Sequence, residues 1–148
     1  MWPAAVALAL TLTLTGACSK DGPDALVQVP APAATSEAVS SLCRALTQRL
    51  PESLGRGVPR RQTAERDRTA AWGKPPMTLT CGVAAPTGTP VQLMLDGLPL
   101  RTVRRSDRVV WFTTDRAVTV QLDIPLSYES QADVVIPLVP ALKGLPAR

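Results

Sequence analysis

The clearest pattern along the chain is a run of apolar residues at helical spacing between Ser36 and Pro51. Ser36 is suited to cap the first turn of a helix, and Glu37 would lie at the positive end of the helix dipole. Proline cannot continue a helix, so we expect the helix to end at Pro51. The apolar residues that share one face of this helix are Val39, Leu42, Cys43, Leu46 and Leu50.

A second pattern, alternation of apolar and polar residues, predicts β-strands in the second half of the chain. Between Met77 and Val83 the apolar positions include Cys81, which therefore faces the core. Asp96-Gly97 is a hairpin signal. The other segments that read as strands are VQLMLDG, LPLRTV, VVWFTT and AVTVQLDI.

The remaining segments have less regular patterns. Residues 52–71 read as a polar connection, and the tail from Tyr128 to Leu145 is helix-like but interrupted by two prolines. We therefore predict a single α+β domain over residues 36–148. In this domain a small antiparallel sheet of four or five strands packs with an N-terminal and a C-terminal helix.

The stretch TAAWGKPPMTLTCGV, residues 69–83, is interpreted as a structural clamp rather than a ligand site. Pro75 and Pro76 cannot continue a helix and hold Lys74 extended. Residues 72–74 would then form the bend that leads into the strand carrying Cys81. Trp72 is expected to cover the end of the core, with Lys74 in solvent.

The N-terminal residues 1–17, MWPAAVALALTLTLTGA, contain no charged side chain. This run is short for a membrane-spanning helix but has the length of a signal-peptide core. The small residues Gly16 and Ala17 precede Cys18, as they do before the lipid-modified cysteine of bacterial lipoproteins. We predict a signal peptide over residues 1–17 and lipidation of Cys18. The alternatives are an ordinary cleavage site after Ala17 and an uncleaved anchor.

Residues 18–35 follow the predicted lipid-modified cysteine and are rich in proline, alanine and glycine. No helical period survives there, so we predict a flexible tether that could reach roughly 50–60 Å when fully extended. The alternative is an edge strand formed by Leu26, Val27 and Val29.

The three cysteines support the lipoprotein interpretation. If Cys18 carries lipid, Cys43 and Cys81 remain as one disulfide pair, and an oxidising compartment favours the bond. Such a bridge would stabilise the fold by about 4 kcal/mol in the chain-entropy model. The alternative is two buried free thiols.

The chain carries sixteen basic and twelve acidic residues and no histidine. Without histidine, Ser-His and Cys-His catalytic arrangements within this chain are excluded. The basic residues include two arginine clusters, which could form one surface for an anionic partner. The alternative is solvated loops. The clusters comprise Arg56, Arg60, Arg61, Arg66 and Arg68 in the first, and Arg101, Arg104, Arg105 and Arg108 in the second.

Few residues offer catalytic or cofactor chemistry. Paired carboxylates could hydrolyse a glycan, but each candidate has a simpler position in a turn, a polar loop or the outer face of a strand. We expect no enzyme activity, no cofactor, no metal and no binding of nucleic acid, because no matching motif is present. The carboxylate candidates are Asp96, Asp107, Asp115, Asp123 and Glu129.

Several of these motifs occur together and in order: LCRALTQRLP, Arg60-Arg61, TAAWGKPPMTLTCGV followed by Pro86, Asp96-Gly97, and FTTDR at residues 112–116. In this combination, which spans about Ser36 to the C-terminus, the chain resembles a family of predicted actinobacterial lipoproteins. That family is classed as a domain of unknown function (number 3515). The resemblance implies a lipid-anchored, extracytoplasmic location and a disulfide-like cysteine pair, and it implies no activity.

These observations predict a lipoprotein at the outer face of the cytoplasmic membrane. Its expected role is non-catalytic binding or scaffolding of an envelope protein or an anionic wall polymer. One alternative is a carboxylate-dependent enzyme acting on cell-wall glycan. The other is a carrier of a small ligand, which would need an apolar pocket of about 300 Å³ or more.

Overall fold

A computed structural model describes residues 22, 25–30, 32–33, 35–88 and 90–148. The predicted signal peptide and Cys18 lie outside the described residues. The described part forms, in chain order, α1 (Glu37–Thr47), β1 (Ser53–Leu54), β2 (Val58–Arg61), β3 (Thr69–Trp72), β4 (Met77–Cys81), β5 (Val91–Leu95), β6 (Leu98–Arg104), β7 (Arg108–Thr113), β8 (Val120–Pro125), α2 (Gln131–Val135), a 3₁₀ turn (Ile136–Leu138) and α3 (Val139–Lys143).

The strands form one eight-stranded sheet in the order β1-β2-β3-β4-β8-β7-β6-β5. All pairs of neighbouring strands are antiparallel. The sheet therefore consists of two four-stranded meanders, β1–β4 and β5–β8, which meet where β4 pairs with β8. The connection from β4 to β5 takes the chain from the middle of the sheet to its far edge.

Helices precede and follow the antiparallel sheet in the sequence, which confirms the predicted α+β class. The sheet has eight strands, however, and the prediction was four or five. The five predicted strands correspond to β4–β8, and β1, β2 and β3 lie in the segment predicted as a polar connection. Strand β3 is buried on both faces, so its residues do not alternate between apolar and polar. Strand β2 contains Pro59 and two arginines, which disfavour a strand by composition.

Helix α1 follows the predicted apolar stripe as far as Leu46, but it ends at Thr47 rather than at Pro51. Ser36 caps it, because its Oγ accepts a hydrogen bond from the backbone N–H of Val39. Cys43 and Leu46 are buried against the sheet. The predicted C-terminal helix is broken into α2, the 3₁₀ turn and α3 by the prolines at positions 137 and 140.

The disulfide between Cys43 and Cys81 joins α1 to β4. The two Cα atoms lie 5.6 Å apart, and both side chains are fully buried. The predicted pair is therefore confirmed, and the alternative of two free thiols is excluded. Around the bridge, the core is aliphatic apart from Trp72 and Trp111.

Trp72 does not lie in a bend at the end of the core, as the sequence suggested. It is the last residue of β3, is fully buried, and pairs with Met77 across the β3–β4 hairpin. Its indole Nε1–H donates to the backbone carbonyl of Pro51, at 3.0 Å. The bend begins one residue later at Gly73, where φ is +72° and an added Cβ would lie 2.6 Å from a Val58 methyl.

The described residues of the segment predicted as a flexible tether contact the domain. Val27 is buried and forms a parallel bridge with Thr63. The carbonyl of Ala25 accepts a hydrogen bond from Arg61, and the carbonyls of Pro32 and Ala33 accept hydrogen bonds from Arg68. These contacts are isolated hydrogen bonds and one bridge, and they do not form the continuous ladder of a β-strand. The segment is therefore intermediate between a free tether and the alternative edge strand.

Replacing Cys43 and Cys81 together with alanine is expected to lower the free energy of unfolding by about 4 kcal/mol, since the bridge closes a long loop. Urea denaturation of the oxidised wild type and the double variant measures the difference. Ser41→Ala, on the exposed face of α1, is the control and should change stability by no more than about 0.5 kcal/mol. A loss below about 1 kcal/mol in the double variant would contradict the expectation.

Candidate functional site

Nine arginines were predicted to form a surface for an anionic partner. Three of them line one pocket of about 370 Å³ at the β2 end of the sheet. We call this the arginine pocket. Its lining residues are Glu52, Arg60, Arg61, Gln62, Thr63, Arg66 and Thr69. They come from β2, from the residue before β1, from the loop that joins β2 to β3 and from the first residue of β3.

Arg60 is fixed by the end of α1. Its two terminal nitrogens donate to the carbonyls of Leu50 and Thr47, at 3.3 and 3.1 Å. Thr47 is the last residue of α1 and its carbonyl has no partner within the helix, so the guanidinium acts as a C-terminal cap. The guanidinium carbon also lies 6.0 Å from the centroid of the Trp72 ring, at the outer limit of a cation–π contact.

Arg61 is fixed on the other side of β2. Its terminal nitrogens donate to the carbonyl of Gly73, at 3.4 Å, and to that of Ala25, at 3.0 Å. Its Nε is buried and forms no hydrogen bond with the described residues. This side chain therefore connects the β3–β4 turn with the N-terminal segment, and it also lines the arginine pocket.

Arg66 is exposed in the β2–β3 loop. Its side chain forms no hydrogen bond or ion pair with the described part of the chain. Glu52 is the acidic residue of the pocket, and its carboxylate lies 3.6 Å from Arg60 but is 89% exposed. Three positive charges and one negative charge give the lining a net charge of about +2, which favours an anionic ligand.

The other six arginines lie elsewhere. Arg68 binds the N-terminal segment, and Arg56 lines a separate pocket of about 300 Å³ beside Tyr128. The second predicted cluster lies on β6, β7 and their turn, and four strands separate β2 from β6. The structure thus brings together Arg60, Arg61 and Arg66 and separates the two clusters.

Within the second cluster, Arg108 is engaged by carboxylates. It lies 2.8 Å from Asp107 and 3.8 Å from Asp123. The hydrogen bond from Arg108 is the main reason that the pKa of Asp107 falls below its ordinary value. The same bond raises the pKa of Arg108. Arg104 and Arg105 are exposed, and Arg101 is half-buried on β6.

The carboxylate candidates are dispersed, and most contribute to local structure. Asp123 accepts a hydrogen bond from Gln121, and Asp115 pairs with Arg116. Asp96 has φ +46° in the turn of the β5–β6 hairpin. Glu129 lines the same pocket as Arg56. Among the described residues, no cluster of three potential metal-ligating side chains is formed.

Two further cavities have mixed linings. The pocket beside Arg56 also includes Val58, Tyr128 and Asp133. Burial raises the pKa of the Tyr128 phenol, whose hydroxyl donates to the carbonyl of Pro75. A groove of about 550 Å³ lies on the outer face of β4 and β8, lined by residues that include Pro30, Thr78, Thr80, Arg108, Gln121 and Asp123. The pocket beside Arg56 has about the volume that the small-ligand alternative requires, and Val58 and Val134 line it together with charged side chains.

The family model described as "Protein of unknown function (DUF3515)" matches residues 3–143. The chain belongs to the DUF3515 family. No curated protein and no solved structure matches the chain. Among the described residues, no helix is long and apolar enough to cross a membrane.

Sequence reasoning found the arginines of this DUF3515 chain but not the pocket they form. Glu52, Gln62, Thr63 and Thr69 were hidden in the segment predicted as a polar connection. The available signal was the order of residue types: two glycines, then Val-Pro-Arg-Arg, then a loop leading to Thr-Ala-Ala-Trp. That order fits a short hairpin, β1–β2, at the edge of a sheet, followed by a strand, β3, that is buried on both faces.

Arg60→Ala in the DUF3515 chain is expected to lower the free energy of unfolding by about 2 kcal/mol, because two helix-end carbonyls lose a charged donor. Arg66→Ala should change it by no more than about 0.5 kcal/mol, since that side chain is exposed. Urea denaturation of both variants gives the comparison. Equal losses would show that Arg60 does not cap α1.

Proposed function

We propose that this protein is a non-catalytic lipoprotein that binds a phosphate-bearing anionic component of the cell envelope in the arginine pocket. Cys18 would carry the lipid and hold the domain at the outer face of the cytoplasmic membrane. The observation that carries the proposal is that Arg60, Arg61 and Arg66 all line one cavity beside the point where the N-terminal segment meets the domain.

The fixed guanidinium groups support binding of an anion. Arg60 and Arg61 are each held by two backbone carbonyls, so little side-chain entropy is lost when a ligand binds. Each terminal nitrogen of these two side chains carries two N–H groups and donates one to a carbonyl, so the second N–H can be donated to a phosphate. Arg66, which is exposed, can adapt to a bound group. An anion that reaches the pocket would meet two fixed positive charges and one movable one.

The position of the N-terminal segment supports a ligand near the membrane. The backbone N–H of Val27 donates to the carbonyl of Gln62, at 2.8 Å, and Arg61 holds the carbonyl of Ala25. Only seven Cα–Cα steps separate Cys18 from Ala25, which span at most about 25 Å. An acylated Cys18 would therefore keep Ala25, whose carbonyl is held by Arg61, within about 25 Å of the lipid-modified residue, rather than at the reach of a free tether.

A binding role also agrees with the side-chain chemistry. The chain has no histidine. Asp107, Asp115 and Asp123 are paired with arginines. These three carboxylates are engaged in local structure. Two other carboxylates, Glu129 and Asp133, do share one cavity, the pocket beside Tyr128. Scaffolding of an envelope protein by the same domain remains compatible with this proposal.

Arg66→Gln is expected to weaken phosphate binding about fivefold, because one arginine near an anionic surface contributes about 1 kcal/mol. Arg105→Gln is the matched control, since it removes the same charge from an exposed side chain in the distant β6–β7 turn. Isothermal titration of the full chain in nonionic detergent measures the affinity. The probes are polyglycerol phosphate and short-chain phosphatidylglycerol, with short-chain phosphatidylcholine as the zwitterionic reference.

The two probes distinguish the sources of the phosphate group. Tighter binding of polyglycerol phosphate would assign the pocket to a wall polymer, and tighter binding of phosphatidylglycerol would assign it to lipid headgroups. Binding should weaken as salt is raised, since exposed charges are screened. Absence of binding to both anionic probes, or equal losses for Arg66→Gln and Arg105→Gln, would overturn the proposal.

A further inference from the structure

Strand β5 forms one end of the sheet and lacks the usual protection of a sheet edge. It pairs with β6 on one side and with none of the described residues on the other. Its sequence, Val91–Leu95, contains no charged residue. Val91 and Met94 are 67% and 65% exposed and are the two most exposed large hydrophobic side chains in the described part of the chain. Natural edge strands usually carry charges, bulges or a cover that prevents pairing with another chain.

The hairpin geometry identifies the backbone groups that face outward. Asp96 and Gly97 have φ values of +46° and +72°, which fits a two-residue type I′ turn closed by Leu95 and Leu98. The closing pair is hydrogen-bonded, and hydrogen-bonded pairs alternate along an antiparallel ladder. The N–H and C=O groups of Gln92 and Met94 therefore point away from β6, toward the open edge.

We propose that two copies of this chain associate through β5, pairing antiparallel about a two-fold axis at Leu93. In this register Gln92 of each copy lies opposite Met94 of the other. The two pairs exchange four backbone hydrogen bonds, which use all the outward-facing groups of these residues. Pro90, which has no N–H to donate, stays outside the paired segment.

The chemistry of the edge favours a second copy of this chain as the partner. The chain has a net charge of +4, so self-association through a charged edge would be opposed by repulsion. Strand β5 contributes no charge to such an interface. The pairing also places Val91 opposite Leu95 of the second copy and covers part of the exposed apolar surface. The nearby Lys143 ammonium is already engaged by the carbonyl of Asp96, at 2.9 Å.

The assembly closes at two subunits. A two-fold contact uses the same strand from both copies, so each β5 edge is consumed. The opposite edge of the sheet is β1, which has only two residues and offers little template for pairing. The predicted product is a dimer with a continuous antiparallel sheet, rather than a fibre.

Light scattering of the full chain in nonionic detergent tests the dimer, with the detergent mass subtracted. We expect a protein mass of two chains. Met94→Lys should raise the dissociation constant about tenfold or more, because each dimer then contains two lysines in its central pairs. Ile136→Lys is the matched control, because Ile136 is also an exposed large hydrophobic residue but lies outside the sheet. A monomeric wild type, or equal effects of the two variants, would overturn the proposal.

Disulfide trapping tests the register independently of affinity. In a Cys18→Ser background, the double variant Gln92→Cys/Met94→Cys should form covalent dimers on oxidation, because hydrogen-bonded pairs have Cα atoms about 5.5 Å apart. In each single variant, the new thiol lies opposite a residue of the second copy that has no thiol, so cross-linking should be far weaker. Nonreducing electrophoresis gives the readout. Cross-linking of the single variants as strongly as the double variant, or none in the double variant, would contradict this register.

Discussion

The attachment of α1 to β4 is the constraint on which the rest of the structure depends. Cys43 and Cys81 fix the only long helix of the described chain to the strand where the two meanders meet. Once α1 is placed on β4, its C-terminal end comes next to Trp72 and Arg60. The tryptophan donates to Pro51, and the arginine donates to Thr47 and Leu50. The end of one helix thus fixes the position of β2 and β3 in the sheet.

The arginine pocket is a consequence of this organisation. Arg60 and Arg61 are adjacent in β2, and the pleat of the strand sends their side chains to opposite faces. One guanidinium then satisfies carbonyls of the α1 end, and the other satisfies carbonyls of a turn and of the N-terminal segment. Residues that hold the fold together in this way also present fixed positive charge. Structural and binding roles therefore cannot be separated at Arg60 and Arg61, whereas Arg66 contributes charge alone.

The predictable parts of the fold are the helices and strands that have one buried face and one face exposed to solvent. Helix α1 and strand β8 are of this kind, since the apolar stripe of the helix and the alternation from Val120 to Ile124 match their observed burial. The Asp96-Gly97 turn was also predictable, because few residue pairs accept its backbone angles. Strand β3 was not predictable, since Thr69, Ala70, Ala71 and Trp72 are all buried and carry no period. Its environment is set by contacts distant in sequence.

The candidate site was likewise predictable only in part. The arginines were visible as clusters, but sequence order could not show that the side chains of Arg60 and Arg61 lie on opposite faces of β2 or that four strands separate β2 from β6. Trp111 and Phe112 give a similar case on the sheet itself. Their side chains point to opposite faces, yet both are buried, at 6% and 7% exposure. The side chain of Phe112 on the outer face is therefore also shielded from solvent, which alternation alone does not reveal.

The sheet order has a consequence for the way the chain reaches its folded state. Strand β4 is central, but its second partner, β8, is the last strand to be made, and some forty residues separate the paired segments. The N-terminal meander therefore keeps an unpaired edge until nearly the whole chain is available. Contacts of such large sequence separation slow folding, because the intervening segment must be ordered before they form. The middle of this protein is consequently the part that is completed last.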